Sequence, residues 1–133
     1  MQLRSTTDYA IRLVLYLAGQ DRGHGVTGSE IAQHTGIAAG YVRKVAAELR
    51  MAGLVESGQG TGGGFRLTRA PEDITLFDVI LAGECTVKIN RCLEDPALCS
   101  RGAAPYCKVH LKLDMLQALL ERYLRDIKIS DLL

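Results

Sequence analysis

A chain of 133 residues with 47% apolar residues is long enough for one compact domain, or a small domain with a helical extension, and too apolar for a disordered tail. Its net charge of +1 excludes a uniformly polybasic or polyacidic protein, yet the charge is uneven. Eight Lys and Arg stand against five Asp and Glu up to Ala70, and eight against ten beyond it, so the first half is the one that can meet an anionic partner.

Arg4, Asp8 and Arg12 interrupt the apolar positions at the start, so no cleavable signal is read there. No apolar run reaches membrane-spanning length, and the expected location is cytoplasmic. Ser5 to Thr7 offer N-caps for a first helix in which Ala10, Leu13, Val14, Leu17 and Ala18 recur at helical spacing before Gly19. Thr27 and Glu30 spell a capping box, with Val26 and Ile31 placed as a hydrophobic staple. This predicts a short second helix from about Gly28 to Thr35, a tight turn at Gly36, and a third helix from about Ala38 to Met51.

In the third helix Val42, Val45, Ala46 and Leu49 form an apolar face, while Gly40, Arg43, Lys44 and Ala47 lie toward the other. Two helices joined by a glycine-containing turn read as helix-turn-helix, the second being the recognition helix. An adjacent basic pair is also the ordinary make-up of a solvated helix face; the following segment decides between them. Leu54-Val55 and Phe65-Arg66-Leu67 read as two strands around a glycine-rich tip from Ser57 to Gly64. Placed just after a recognition helix, such a hairpin is a wing. It is not a phosphate-binding loop, because no Gly-Lys-Ser or Gly-Lys-Thr follows, nor a dinucleotide fingerprint, because the glycines lead into a strand.

Thr75 and Asp78 make a second capping box, for a helix carrying Leu76, Val79 and Ile80 and stopping at Gly83. The segment from Cys92 to His110 then holds three cysteines and a histidine, with Pro96, Gly102 and Pro105 breaking any continuous element. Soft thiolates gathered in a long loop point to a metal or a cluster. Three Cys and one His are also a structural zinc set, although zinc sites usually include a close Cys-x-x-Cys pair and none occurs here. A direct thiol sensor without metal is a further alternative. A thiol redox enzyme is disfavoured by the same missing pair and by the lack of a βαβ context, and no catalytic constellation is visible. A last helix is predicted from about Lys108 to Asp126. In it Val109, Leu113, Leu116, Leu120, Tyr123 and Ile127 step by four and three residues, the spacing of a coiled-coil seam. The expected architecture is mainly α with a small β wing: residues 1–83 a winged helix-turn-helix, 84–107 a cysteine-rich loop, and 108–133 a dimerisation helix and C-terminal segment.

Four features occur together along nearly the whole chain: Thr7-Asp8-Tyr9-Ala10-Ile11-Arg12, the wing Gly60-Thr61-Gly62-Gly63-Gly64-Phe65, the triple-cysteine loop, and Ile127-Lys128-Ile129-Ser130-Asp131-Leu132. In this order they resemble the Rrf-two family of small dimeric winged-helix repressors. The resemblance implies a homodimeric DNA-binding regulator, most simply a repressor of a palindromic operator, sensing redox state, nitric oxide or iron-sulfur status. It implies Cys92, Cys99 and Cys107 as iron ligands. By the pattern of members that hold a 2Fe-2S cluster His110 would be the fourth, whereas in members with a 4Fe-4S cluster an aspartate from the partner subunit fills that place, which points to Asp8. Cys85 is a further candidate, with a buried thiol as its simpler role. Spacing favours His110 and hence 2Fe-2S, because Cys107 and His110 can project from one face of a beginning helix. For DNA the expected contacts are Arg43 and Lys44, with Tyr41, and Gln59, Gly62 and Gly63 of the wing. Gln59 stands where some members have Arg, and Arg43-Lys44 where cluster-holding members have an acid and an amide, so a different operator preference with the same docking mode is expected.

Overall fold

The computed structural model describes residues 2–133. Its elements run α1 (Ser5–Ala18), α2 (Gly28–Thr35), α3 (Ala39–Met51), β1 (Val55–Gly58), β2 (Gly64–Leu67), α4 (Leu76–Gly83), α5 (Arg91–Glu94) and α6 (Lys108–Asp126). Short 3₁₀ turns occupy Pro71–Asp73, Pro96–Leu98, Ala104–Tyr106 and Ile129–Leu132. The fold is a winged helix-turn-helix followed by a long C-terminal helix. No helix among the described residues is long and apolar enough to cross a membrane.

Helical spacing on α1 and α3 generates the core. Ala10, Leu13, Val14 and Leu17 meet Val42, Val45, Ala46 and Leu49, all buried, and Ile31, Leu54, Leu67 and Ile74 close the cluster. Gly36 ends α2 in the left-handed conformation at φ 71°, which supplies the sharp turn into α3. The wing strands pair antiparallel from Val55 opposite Leu67 to Gly58 opposite Gly64.

Local capping rules succeed except where a distant side chain competes. Ser5 to Thr7 do not cap α1: Arg4 is its N-cap, without a side-chain bond. The fully buried Thr7 hydroxyl instead donates to Glu84 Oε1 at 2.7 Å, at the end of α4. Thr27 accepts from the Glu30 amide at 3.2 Å, but the Glu30 carboxylate takes the Tyr16 hydroxyl at 2.8 Å, so this box is half made. The box at Thr75 and Asp78 is reciprocal, with bonds of 2.9 and 3.1 Å. Val26 and Phe65 exchange backbone hydrogen bonds of 2.8 Å, adding a third segment of chain beside the two wing strands where the sequence implies only a staple.

The C-terminal segment returns to its own winged unit. Ile127 C=O accepts from Leu76 N–H and Ile129 N–H donates to Ile74 C=O, both at 2.9 Å, and Ile129 is fully buried. Gly83 is where α1 and α4 touch: a Cβ there would lie 2.7 Å from Thr7 Oγ1 and 2.9 Å from Thr7 Cα. Gly83→Ala is expected to destabilise the fold by about 1–3 kcal/mol, read as a lower urea midpoint with an unchanged slope.

Candidate nucleic-acid interface and cysteine pocket

Burial of the apolar stripe of α3 leaves Tyr41, Arg43 and Lys44 exposed. Among the described residues neither Arg43 nor Lys44 lies within ion-pair distance of a carboxylate, so both charges are available to an anion. Arg43 lines a concavity with Thr27, Gly28 and Ser29 at the start of α2 and Phe65 of the wing. Unpaired amides and the helix dipole make that end of α2 positive, which suits a phosphate beside the guanidinium. Sequence reasoning did not single out this end of α2, although the Thr27 cap signalled where it lies.

Tyr41 is half-exposed and meets Tyr9 edge-on at 5.8 Å, while the Arg12 guanidinium lies 5.4 Å over the Tyr9 ring. Tyr41 therefore has one edge spent on packing and one free. In the wing, Gln59 and Gly62 are exposed and Gly63 half-buried. Gly62 C=O accepts from Gly25 N–H at 3.2 Å, and a Cβ on Gly63 would sit 2.8 Å from Gly58 O. The demand for glycine at 63 thus arises inside the wing turn itself.

The cysteine loop is less irregular than its prolines and glycine imply. Cys92 lies in α5, Cys99 follows the turn at Pro96–Leu98, Cys107 is the N-cap of α6 and His110 sits in its first turn. All four line one concavity of about 270 Å³, with Arg91, Arg101 and Leu113 among the other lining residues. Asn90 Nδ2 donates to Cys92 Sγ at 3.3 Å, and the His110 amide donates to Cys107 Sγ at 3.4 Å. Backbone N–H groups of Ala103, Arg101, Gly102 and Ala104 hold the Cys99 thiol below its ordinary range, outweighing the opposing effect of desolvation. His110 Nδ1 is buried without a hydrogen-bond partner among the described residues.

Among those residues no three donor side chains converge as they would around one metal ion, so the four share a pocket without forming a closed tetrahedral site. The other two candidate ligands lie outside it. Asp8 is exposed and paired with Arg12 at 2.7 Å. Cys85 is exposed rather than buried, with Arg4 Nη1 at 3.6 Å.

The helix after the pocket buries a polar residue. Gln117, 3% exposed, accepts from Ile89 N–H at 2.9 Å and donates to Val87 C=O at 3.0 Å and Glu121 Oε1 at 2.9 Å. Lys88 Nζ reaches Glu121 at 2.9 Å; Lys88 and then Gln117 hold the Glu121 carboxyl below the usual range. Arg125 lies 3.7 Å over the Phe77 ring, seating the far end of α6 on α4. The opposite side of α6 is apolar and exposed. Val109, Leu116, Leu120 and Tyr123 of the predicted seam are uncovered, and so are Leu111, Met115 and Leu119 beyond it, while Leu113 and Ile127 turn partly toward their own chain.

Residues 3–133 match the family model Rrf2, described as iron-dependent transcriptional regulator. The chain is 38% identical over 92 residues to the transcriptional regulator NsrR of Halalkalibacterium halodurans, a match covering 69% of this chain and 63% of that protein. It is 32% identical over 133 residues to the transcriptional regulator IscR of Vibrio atlanticus, covering 100% of this chain and 75% of that one. The structure of CymR, the global cysteine regulator of B. subtilis, superposes with a TM-score of 0.78 at 25% identity, covering 99% of this chain and 95% of that one. The relatives are regulators rather than enzymes. A winged helix whose residues 3–133 match the family model places this chain in the Rrf2 family of DNA-binding transcriptional regulators.

Proposed function

We propose that the chain is a homodimeric repressor whose hold on a palindromic operator is set by an iron-sulfur cluster at Cys92, Cys99, Cys107 and His110. The observation that carries this reading is the shared pocket: four donors from three pieces of chain, α5, the turn around Cys99 and the start of α6, line one concavity. The local chemistry fits. Amides around Cys99 favour its thiolate, the Asn90 side chain and the His110 amide donate to the sulfurs of Cys92 and Cys107, and the unpartnered His110 Nδ1 calls for a partner. Arg91 and Arg101 at the rim offset the negative charge of a thiolate-bound cluster. Because the donors do not yet converge, filling the site tightens the loop. A 2Fe-2S cluster with His110 as fourth ligand is the favoured form; a 4Fe-4S cluster with Asp8 of a second chain, or with Cys85, is the alternative.

A bound cluster supplies sensitivity to oxidants, nitric oxide and iron supply. The protein supplies the response. Cys107 caps α6, so tightening the loop acts on the helix that carries the exposed apolar face, and through it on the spacing of the two recognition helices. Tyr41, Arg43 and Lys44 would enter successive major grooves while Gln59, Gly62 and Gly63 follow the backbone or minor groove. Since the amides also favour a bare Cys99 thiolate, a metal-free thiol sensor is the second reading. Its mark is operator binding that responds to peroxide in iron-free protein.

Anaerobic purification should give a coloured protein with stoichiometric iron and sulfide. Cys99→Ala should lose the colour and His110→Ala should alter the spectrum, while Cys85→Ala should leave it unchanged. Asp8→Ala should also leave it unchanged if His110 is the fourth ligand. A colourless protein with stoichiometric zinc overturns the cluster reading.

A further inference from the structure

We infer that Gln117 is a positioning residue for the cysteine pocket, fixing the segment that leads into Cys92 against the helix that carries Cys107 and His110. In its link to iron the inference rests on the cluster reading above. A buried carboxamide is unfavourable unless each polar atom is satisfied, and a leucine at this place would fill similar volume without that demand. Here the demand is met by three bonds, two of them to the backbone of Val87 and Ile89.

Those backbone bonds make the contact specific in register. An apolar side chain lets residues 87–89 slide along α6, whereas an amide bonded to one N–H and one C=O two residues apart selects a single position. Lys88, between them, adds its ammonium to Glu121, and Glu121 in turn takes the second Gln117 N–H. Asn90, whose side chain reaches Cys92 Sγ, follows directly on Ile89. On α6, His110 lies two turns before Gln117 on the same face, and Cys107 caps that end. The Gln117 clasp therefore joins the two walls of the pocket at their base, outside the ligand set.

The test uses the full chain and two variants. Gln117→Leu removes every bond at similar volume, and Gln117→Glu keeps acceptance from Ile89 N–H but removes donation to Val87 C=O. In anaerobically loaded protein, Gln117→Leu is expected to release iron to a ferrous chelator about tenfold faster, with Gln117→Glu intermediate. The second readout needs no iron: in a Cys85→Ser, Cys99→Ser background, dibromobimane cross-linking of Cys92 to Cys107 should slow about tenfold in Gln117→Leu. Unchanged cross-linking overturns the positioning role, even if the melting temperature drops. If the parent chain takes up no iron but cross-linking slows, the positioning role stands and the cluster reading fails.

Discussion

A chain carrying Leu116→Glu and Tyr123→Glu is expected to sediment as a monomer and to bind its operator at least about a hundredfold more weakly than the parent. Both side chains sit on the outer face of α6, Tyr123 at 68% exposure and Leu116 at 47%, two turns apart, with Val109 and Leu119 exposed alongside. So many exposed apolar side chains on one helix are not a stable end state in water, and each gains about 1.5–3 kcal/mol on burial. The substitutions spare the inner face with Gln117 and Glu121, so the single chain should keep its fold. In a symmetric pair they place four carboxylates in the seam, whose desolvation exceeds the apolar gain. A dimer that survives in sedimentation would move the subunit contact elsewhere.

The second large effect is expected at the recognition helix. Arg43→Glu should lower operator affinity by about one to two orders of magnitude at low salt. It should also flatten the dependence of log affinity on log salt by about one unit for each phosphate that Arg43 neutralises. Because Arg43 has no carboxylate partner among the described residues of its own chain, reversal orphans nothing and leaves stability nearly unchanged. Reversal also sets a negative charge beside the positive end of α2, where a phosphate would rest. Titration of a labelled operator across a salt series measures both quantities; an unaltered affinity and slope would remove Arg43 from the interface.

The bounds of α3 and α6 follow from apolar periodicity and from Gly36, and the wing from strand residues flanking glycine, since these are local properties of the chain. Other features depend on residues far away in sequence. Thr7 reads as a cap until Glu84 is placed beside it, and Glu30 reads as half of a capping box until the Tyr16 hydroxyl arrives. Gln117 is the clearest case. No local signal marks it, because its burial depends on where residues 87–89 cross α6. The cysteine loop is legible as a collection of ligands, whereas the turn at Pro96–Leu98 and the short helix α5, which bring them to one concavity, are too brief for periodicity to show.

The return of Ile129 to the core bears on how α6 can move. Just beyond its last turn the helix is stitched to the chain around Ile74 to Leu76, and at its midpoint it is gripped through Gln117. A rod pinned at its middle and at its far end cannot swing like a hinged arm; what remains is a small roll about its own axis or a slide along it. A change at the cysteines would therefore reach a second chain as a turned face, which alters the angle between two DNA readers with little change in the shape of either.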